Sequence, residues 1–301
     1  MMQFSVRSRS HWALAGWLLA LPLASSAFGH DFWLQPTVWS ASTGKTSCVE
    51  LRVGDNFKGE IVHREPDYVD RFVARVPESE DLVEVKALPG RPHPAGWLRP
   101  TAAGMHAFGY QSKPRFLELH PIKFREYLLE EALTDIVQER SRLGEQETPG
   151  REDFIRCAKS LVEVAGDSAA EKFVDKPLGL SLEFVALDDP MSCAELTRDA
   201  AVSTPPRDNR WRVQLLKDGK PVVAARVRCV SKAADNGRSL PQVVTTDKEG
   251  CATFDLSPGR TWLVTCVQMT RADQGRKTTD PSALGKEVHW VSHWASLTFR
   301  S

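Results

Sequence analysis

Ser47-Cys48-Val49-Glu50-Leu51-Arg52-Val53 carries an apolar side chain at every second position. Strand side chains alternate between faces, so Val49, Leu51 and Val53 line one face while Cys48, Glu50 and Arg52 line the other. Cys48 therefore points away from the apolar face. Similar short segments recur around it: 31–34, 71–76, 83–87 and 104–110 read as strands separated by Gly, Pro and Asp/Asn clusters. Strands this short and this evenly punctuated predict a β-sandwich.

The period changes after His120-Pro121, where Phe124, Leu128, Leu129, Ala132, Leu133, Ile136 and Val137 recur three and four apart. That spacing predicts an amphipathic helix, with His120 as its cap, proline at its start and Gly144 past its end. A polar loop follows, and 151–156 reads as a second short helix, so the helical excursion runs over 122–156 as an insertion or cover on the sandwich. Alternation returns at Ala158, Ser160, Val162 and Val164, and 178–187 reads as another strand. Residues 191–207 lose periodicity and contain Ser203-Thr204-Pro205-Pro206, which marks a linker. Beyond it, 211–216, 222–230, 242–246, 252–256, 262–267 and 294–299 alternate between turn clusters. The expectation is a mainly β protein of two sandwich domains, 30–190 with the helical insertion and an Ig-like unit at 208–301.

The chain of 301 residues carries 39 basic and 39 acidic side chains. Residues 1–29 hold two arginines and no acid, leaving 37 against 39 beyond them, a balance that argues against a nucleic-acid partner. Arg7 and Arg9, an apolar run at 13–21, Pro22 and small residues thereafter have the layout of a removable signal peptide over 1–29. The run is too short to span a bilayer. The expected product is periplasmic or secreted, with no stable membrane insertion after processing. Six cysteines in an exported chain allow fifteen pairings. Cys229 shares a strand face with Ala225 and Val227, and Cys266 shares one with Trp262 and Val264, whereas Cys251 faces away from Ala252 and Phe254. This favours a Cys229–Cys266 bridge.

At Ala27-Phe28-Gly29-His30-Asp31-Phe32-Trp33-Leu34 two cuts satisfy the small-residue rule. Cutting after Gly29 makes His30 the first residue, whose α-amine and ring nitrogen can close on one cation. Cutting after Ala27 makes it the third, where amine, two amides and imidazole form a square-planar nitrogen set that favours Cu(II) or Ni(II). The plainer reading is that His30 only opens the first strand. His289 and His293 are further candidate ligands: on a helix they would share a face, whereas on a strand they stand about 13 Å apart. His63, His93 and His106 read as isolated. No nucleophile elbow, phosphate loop or His-Glu-x-x-His is present, so hydrolytic catalysis has no local support.

His30-Asp31-Phe32-Trp33-Leu34, Leu51-Arg52-Val53-Gly54-Asp55-Asn56-Phe57-Lys58-Gly59, Gly109-Tyr110-Gln111-Ser112-Lys113-Pro114, Arg156-Cys157-Ala158-Lys159-Ser160-Leu161-Val162 and Trp294-Ala295-Ser296-Leu297-Thr298-Phe299 together resemble the domain-of-unknown-function 4198 family. The resemblance implies an exported protein like the periplasmic components of nickel or cobalt uptake, ending in a carboxypeptidase-regulatory-like β-domain. It maps His30 onto the family's starting histidine. Where the family commonly has Val-His-Met, this chain has Val267-Gln268-Met269, a position that His289 or His293 would have to offset. The function expected is non-enzymatic capture or buffering of Ni(II), Co(II) or Cu(II), with a membrane metal transporter as the implied partner. The alternatives are a copper oxidase with an N-terminal histidine brace, and a metal-free envelope-interaction or carbohydrate-binding module.

Overall fold

The computed structural model describes residues 30–165, 175–191, 209–233, 237 and 239–301. The expected leader at 1–29 and, apart from Met191, the expected linker at 191–207 lie outside the described residues.

In chain order the strands begin with β1 (Asp31–Pro36), β2 (Ser40–Ser42), β3 (Ser47–Asp55), β4 (Lys58–Val62), β5 (Val69–Arg75), β6 (Val83–Glu84), β7 (Gly96–Leu98), β8 (Gly104–Ser112) and β9 (Arg115–Leu119). Two helices follow, α1 (Pro121–Glu130) and α2 (Thr134–Arg142), and then β10 (Gly150–Ala165) and β11 (Leu182–Ala186). The remainder is β12 (Arg210–Lys217), β13 (Lys220–Pro221), β14 (Arg226–Lys232), β15 (Gln242–Thr245), β16 (Cys251–Asp255), β17 (Thr261–Arg271) and β18 (Trp290–Arg300).

These strands form three layers. A ten-stranded sheet, ordered β15-β14-β17-β18-β10-β8-β5-β6 with β2 and β9 also on β10, lies between two four-stranded sheets. One is β1-β3-β4 with β7 on β3, and the other is β11-β12-β13 with β16 on β12. Alternation along the central strands explains the arrangement. On β10, Cys157 and Leu161 join the core beneath β11 and β12, whereas Ala158, Val162 and Val164 join the core beneath β1 and β3. Met105 and Ala107 of β8 divide from Phe108 and Tyr110 in the same way. The central sheet is therefore apolar on both faces, and each outer sheet buries one of them.

The mainly β, multi-sheet fold read from the alternation is borne out, with three differences. Residues 151–156 belong to β10, not to a helix: Gly150 to Phe154 pair with β9, and Glu152 to Ser160 pair in parallel with β18. A ladder on both edges outweighs a weak local helical pattern. The single expected helix is two, broken where Ala132 takes a left-handed φ of 56°. Phe124, Leu128, Leu133 and Ile136 are buried as the spacing requires, but Leu129 is 44% exposed. His120 occupies the cap position of α1 without a side-chain capping bond. Both helices pack on Val267, Met269 and Trp290, covering the end of the central sheet. Gly150 permits this, because a Cβ there would stand 2.1 Å from the Phe124 ring. Finally, the segments 30–190 and 208–301, expected as two domains, share the central sheet, since β18 of the second lies between its own β17 and β10 of the first.

The Cys229–Cys266 bridge is not formed: both are free thiols, as are Cys48, Cys157 and Cys251. Cys229 lies opposite Val264, two residues before Cys266. Diagonal neighbours stand about 7–8 Å apart, beyond disulfide reach. Burial pushes the Cys266 thiol up to about 12 and raises those of Cys229 and Cys157. A thiol reagent should accordingly label Cys48 and Cys251 in the native protein and reach Cys157, Cys229 and Cys266 only after unfolding. Mass spectrometry with and without denaturant reads the difference, and a bridge would leave two sites unlabelled in both.

Lys159 on β10 and Glu183 on β11 form an ion pair at 2.9 Å with both side chains 1% exposed. The Glu183 carboxylate also accepts the backbone N–H groups of Leu178, Gly179 and Leu180 at 2.6, 2.9 and 3.2 Å. Removing one partner of a buried pair leaves an uncompensated charge. Glu183→Ala should therefore lower stability by about 3–5 kcal/mol in a denaturant titration.

Candidate metal site

The β3–β4 hairpin turns through Asn56 and Phe57, both at positive φ (49° and 63°), the conformation of a two-residue hairpin loop. Gly59 lets Trp33 close over this hairpin, since a Cβ there would stand 2.6 Å from the indole. Because Asp31 pairs with Gly54, the residue before β1 meets the residue after Gly54. His30 Nδ1 accordingly lies 2.8 Å from Asp55 Oδ1, with the His30 side chain 28% and the Asp55 side chain 59% exposed.

The adjoining Asp31 is buried, and its carboxylate accepts from the Arg228 guanidinium and from the backbone N–H of Asn56 at 3.3 Å. Arg228 Nη1 also donates to Asn56 Oδ1 at 2.8 Å. Burial raises the Asp31 carboxyl, and the Arg228 charge opposes that shift. Glu131, just past α1, is pushed up to about 7, chiefly by burial and then by Asp31. His30 thus opens a strand whose start is fixed by charge, beside the exposed carboxylate of Asp55.

The other sequence-derived candidates fall elsewhere. His289 sits on an extended run before β18, its Nε2 3.9 Å from Glu287. His293, within β18, has Nε2 3.1 Å from Lys217 Nζ. Burial, and then the Lys217 charge, pull its pKa down to about 4. Four residues of extended chain separate the two by about 13 Å, and a lysine beside one of them repels a cation. His293 does face Gln268 across the β17–β18 ladder, the position where the resemblance implies a histidine. Among the described residues, His30, His289 and His293 have no hydrogen-bond or ion-pair partner in common. Among the described residues, no group of three or more His, Cys, Asp or Glu side chains is placed to hold a metal ion. His106, read as isolated, is fully buried in β8, and that burial lowers its pKa. His63 and His93, read as isolated, are in ring contact.

Asp55 is not among the candidate ligands that the sequence singles out. The signal that could have found it is the hairpin Gly54-Asp55-Asn56-Phe57-Lys58-Gly59, whose register brings Asp55 beside residue 30. Sequence reading also missed a buried network around Glu152, which accepts from Tyr127 Oη at 3.2 Å and from Ser292 Oγ, while Trp294 Nε1 donates to Ser292 Oγ at 3.0 Å. A cleft of about 570 Å³ opens between the first sheet and the end of the central one, with Trp39, Arg52, Lys232 and Arg300 in its wall. No described helix is long and apolar enough to cross a membrane.

The model of a family described as a domain of unknown function, DUF4198, matches residues 27–270. The chain belongs to this family. The DUF4198 match begins just before His30 and takes in Asp55, Arg228 and the Val267-Gln268-Met269 triplet, while His289 and His293 lie beyond it. No curated protein matches the chain. Among solved structures, the tetra-tandem repeat in the extending region of a large adhesion protein is similar at 9% identity over 91% of this chain and 50% of that one. Its TM-score of 0.19 carries no argument, and this chain spans half its length.

Burial raises Glu152 from an ordinary 4.5 to about 7. A carboxyl raised in the folded state stabilises fully below its unfolded value, and that contribution is lost as pH rises through about 7. Glu152→Gln, which has no proton to lose, should therefore gain stability relative to the parent protein between pH 5 and pH 8. Urea midpoints across that range measure it, and an unchanged difference would refute the shift.

Proposed function

We propose that the processed DUF4198 protein captures a divalent transition metal, Ni(II), Co(II) or Cu(II), at its N-terminus. The observation that carries this reading is the 2.8 Å separation of His30 Nδ1 and Asp55 Oδ1. Two ligands at right angles, as in the square-planar or tetragonal sites of Cu(II) and Ni(II), and each about 2.0–2.1 Å from the metal stand roughly 2.9 Å apart, which is the spacing of this pair. Nδ1 is also the nitrogen that closes a chelate ring with an α-amine at or near His30. The Asp31–Arg228 pair holds the strand start, so these donors are presented and not left to a free tail. The metal is cargo: His30 and Asp55 bind it, and a metal-uptake transporter in the envelope is the partner class that would receive it. Capture is favoured over oxidation because a histidine brace needs a second imidazole facing the first, and Asp55 stands beside His30 instead.

The cleft supports a second reading, a carbohydrate-binding envelope module, because Trp39 offers a half-buried ring in a polar wall. Calorimetry separates the two. Processed protein should bind one more equivalent of metal than His30→Ala or a form extended by Met-Gly-Ser-Gly-Ser, which carries the histidine beyond the third position and away from the terminal amine. Asp55→Ala should weaken that equivalent by roughly 10–100-fold. Affinity should fall in acid, because amine and imidazole must shed protons before they ligate. Equal binding by processed, extended and His30→Ala proteins would discard the assignment.

A further inference from the structure

His63 follows the last residue of β4, and His93 lies three residues before β7. The two are thirty residues apart in sequence, yet β3 brings them together. Leu51 of β3 pairs with Val62 at the end of β4, and Val49 pairs with Gly96 at the start of β7. The end of β4 and the beginning of β7 thus meet along one edge of β3, and the flanking histidines come into contact. Their ring centroids are 4.6 Å apart at an interplanar angle of 73°.

The surroundings hold that contact in place. Arg64 donates to the carbonyls of Ala95 at 3.1 Å and Val85 at 3.3 Å, tying the β4 exit to the segment that carries His93. Its guanidinium also lies 5.1 Å from the centre of the Phe72 ring, which directs this positive group toward β5. His63 is exposed and His93 half-buried, which leaves the pair open to solutes. His93 Nδ1 is nevertheless shut off from solvent without a hydrogen-bond partner. A buried polar atom left in that condition costs about 1–3 kcal/mol and asks for an explanation.

We propose that His63 and His93 form a second metal site, for a divalent cation that prefers imidazole, such as Ni(II), Cu(II) or Zn(II). A shared ion would take one nitrogen from each ring, and the unpartnered His93 Nδ1 is the atom it would satisfy. Two protein ligands leave the remaining coordination positions to water, so the site is weaker than a closed structural one and exchanges its ion readily. It shares no residue with the His30–Asp55 pair, and its existence does not depend on the N-terminal reading.

The test uses Ni(II) chloride as the probe and the processed full chain carrying His30→Ala, which removes the N-terminal site. Calorimetry should show one equivalent bound. Paramagnetic broadening in NMR should fall first on the His63 and His93 imidazole signals. Adding His63→Ala should weaken that equivalent at least 10-fold, and adding His93→Ala should do the same. His63 is exposed, so its variant is expected to keep the metal-free melting temperature and to remain informative if His93→Ala unfolds. Unchanged binding in the His63→Ala background, or broadening centred on other histidines, overturns the second site. Equal binding by processed and His30→Ala proteins overturns only the first.

Discussion

The parallel pairing of β10 with β18 is the constraint on which the rest of the structure depends. It joins residues about 140 positions apart over nine consecutive pairs, from Glu152↔Trp290 to Ser160↔Thr298. Strands paired in this way are covered on both faces, and their polar side chains must find partners inside the protein. Thr298 Oγ1 donates to the Leu34 carbonyl at 2.7 Å and lies 2.9 Å from Ser160 Oγ, which ties β1 to the ladder. Glu152, Ser292, Tyr127 and Trp294 do the equivalent work at the other end, linking the ladder to α1. The two halves of the chain consequently cannot separate without breaking the central sheet.

The geometry of the N-terminal site follows from this union. Asp31 and Arg228 are 197 residues apart, one on the first sheet and one on the central sheet. Trp33, Phe57, Val230 and Leu263 close the same interface with an apolar cluster. A buried carboxylate is tolerable there only because a guanidinium faces it. The second half of the chain thus fixes the start of β1, and with it His30 beside Asp55. The His63–His93 pair arises differently, from two loops at one edge of a single small sheet, and so needs only the first half.

Alternation and turn chemistry were sufficient to read most strands, because each of those signals is local. Val49 and Leu51 on β3 and Trp211 and Val213 on β12 are buried at every second position as their spacing requires. His30 could be singled out from its own chemistry and its place after a leader-like stretch. The strand at 151–156, the exposure of Leu129 and the place of Asp55 beside His30 carry no such local signal, because each depends on which element becomes its neighbour. Partner choice decided the rest. The parallel β10–β18 pairing, the Asp31–Arg228 ion pair and the meeting of His63 with His93 join residues that no local period connects, and only the closed three-layer packing brings them within reach. A one-dimensional pattern determines which face of a strand is apolar; which other strand covers that face is settled by competition among all the strands for the same buried surface.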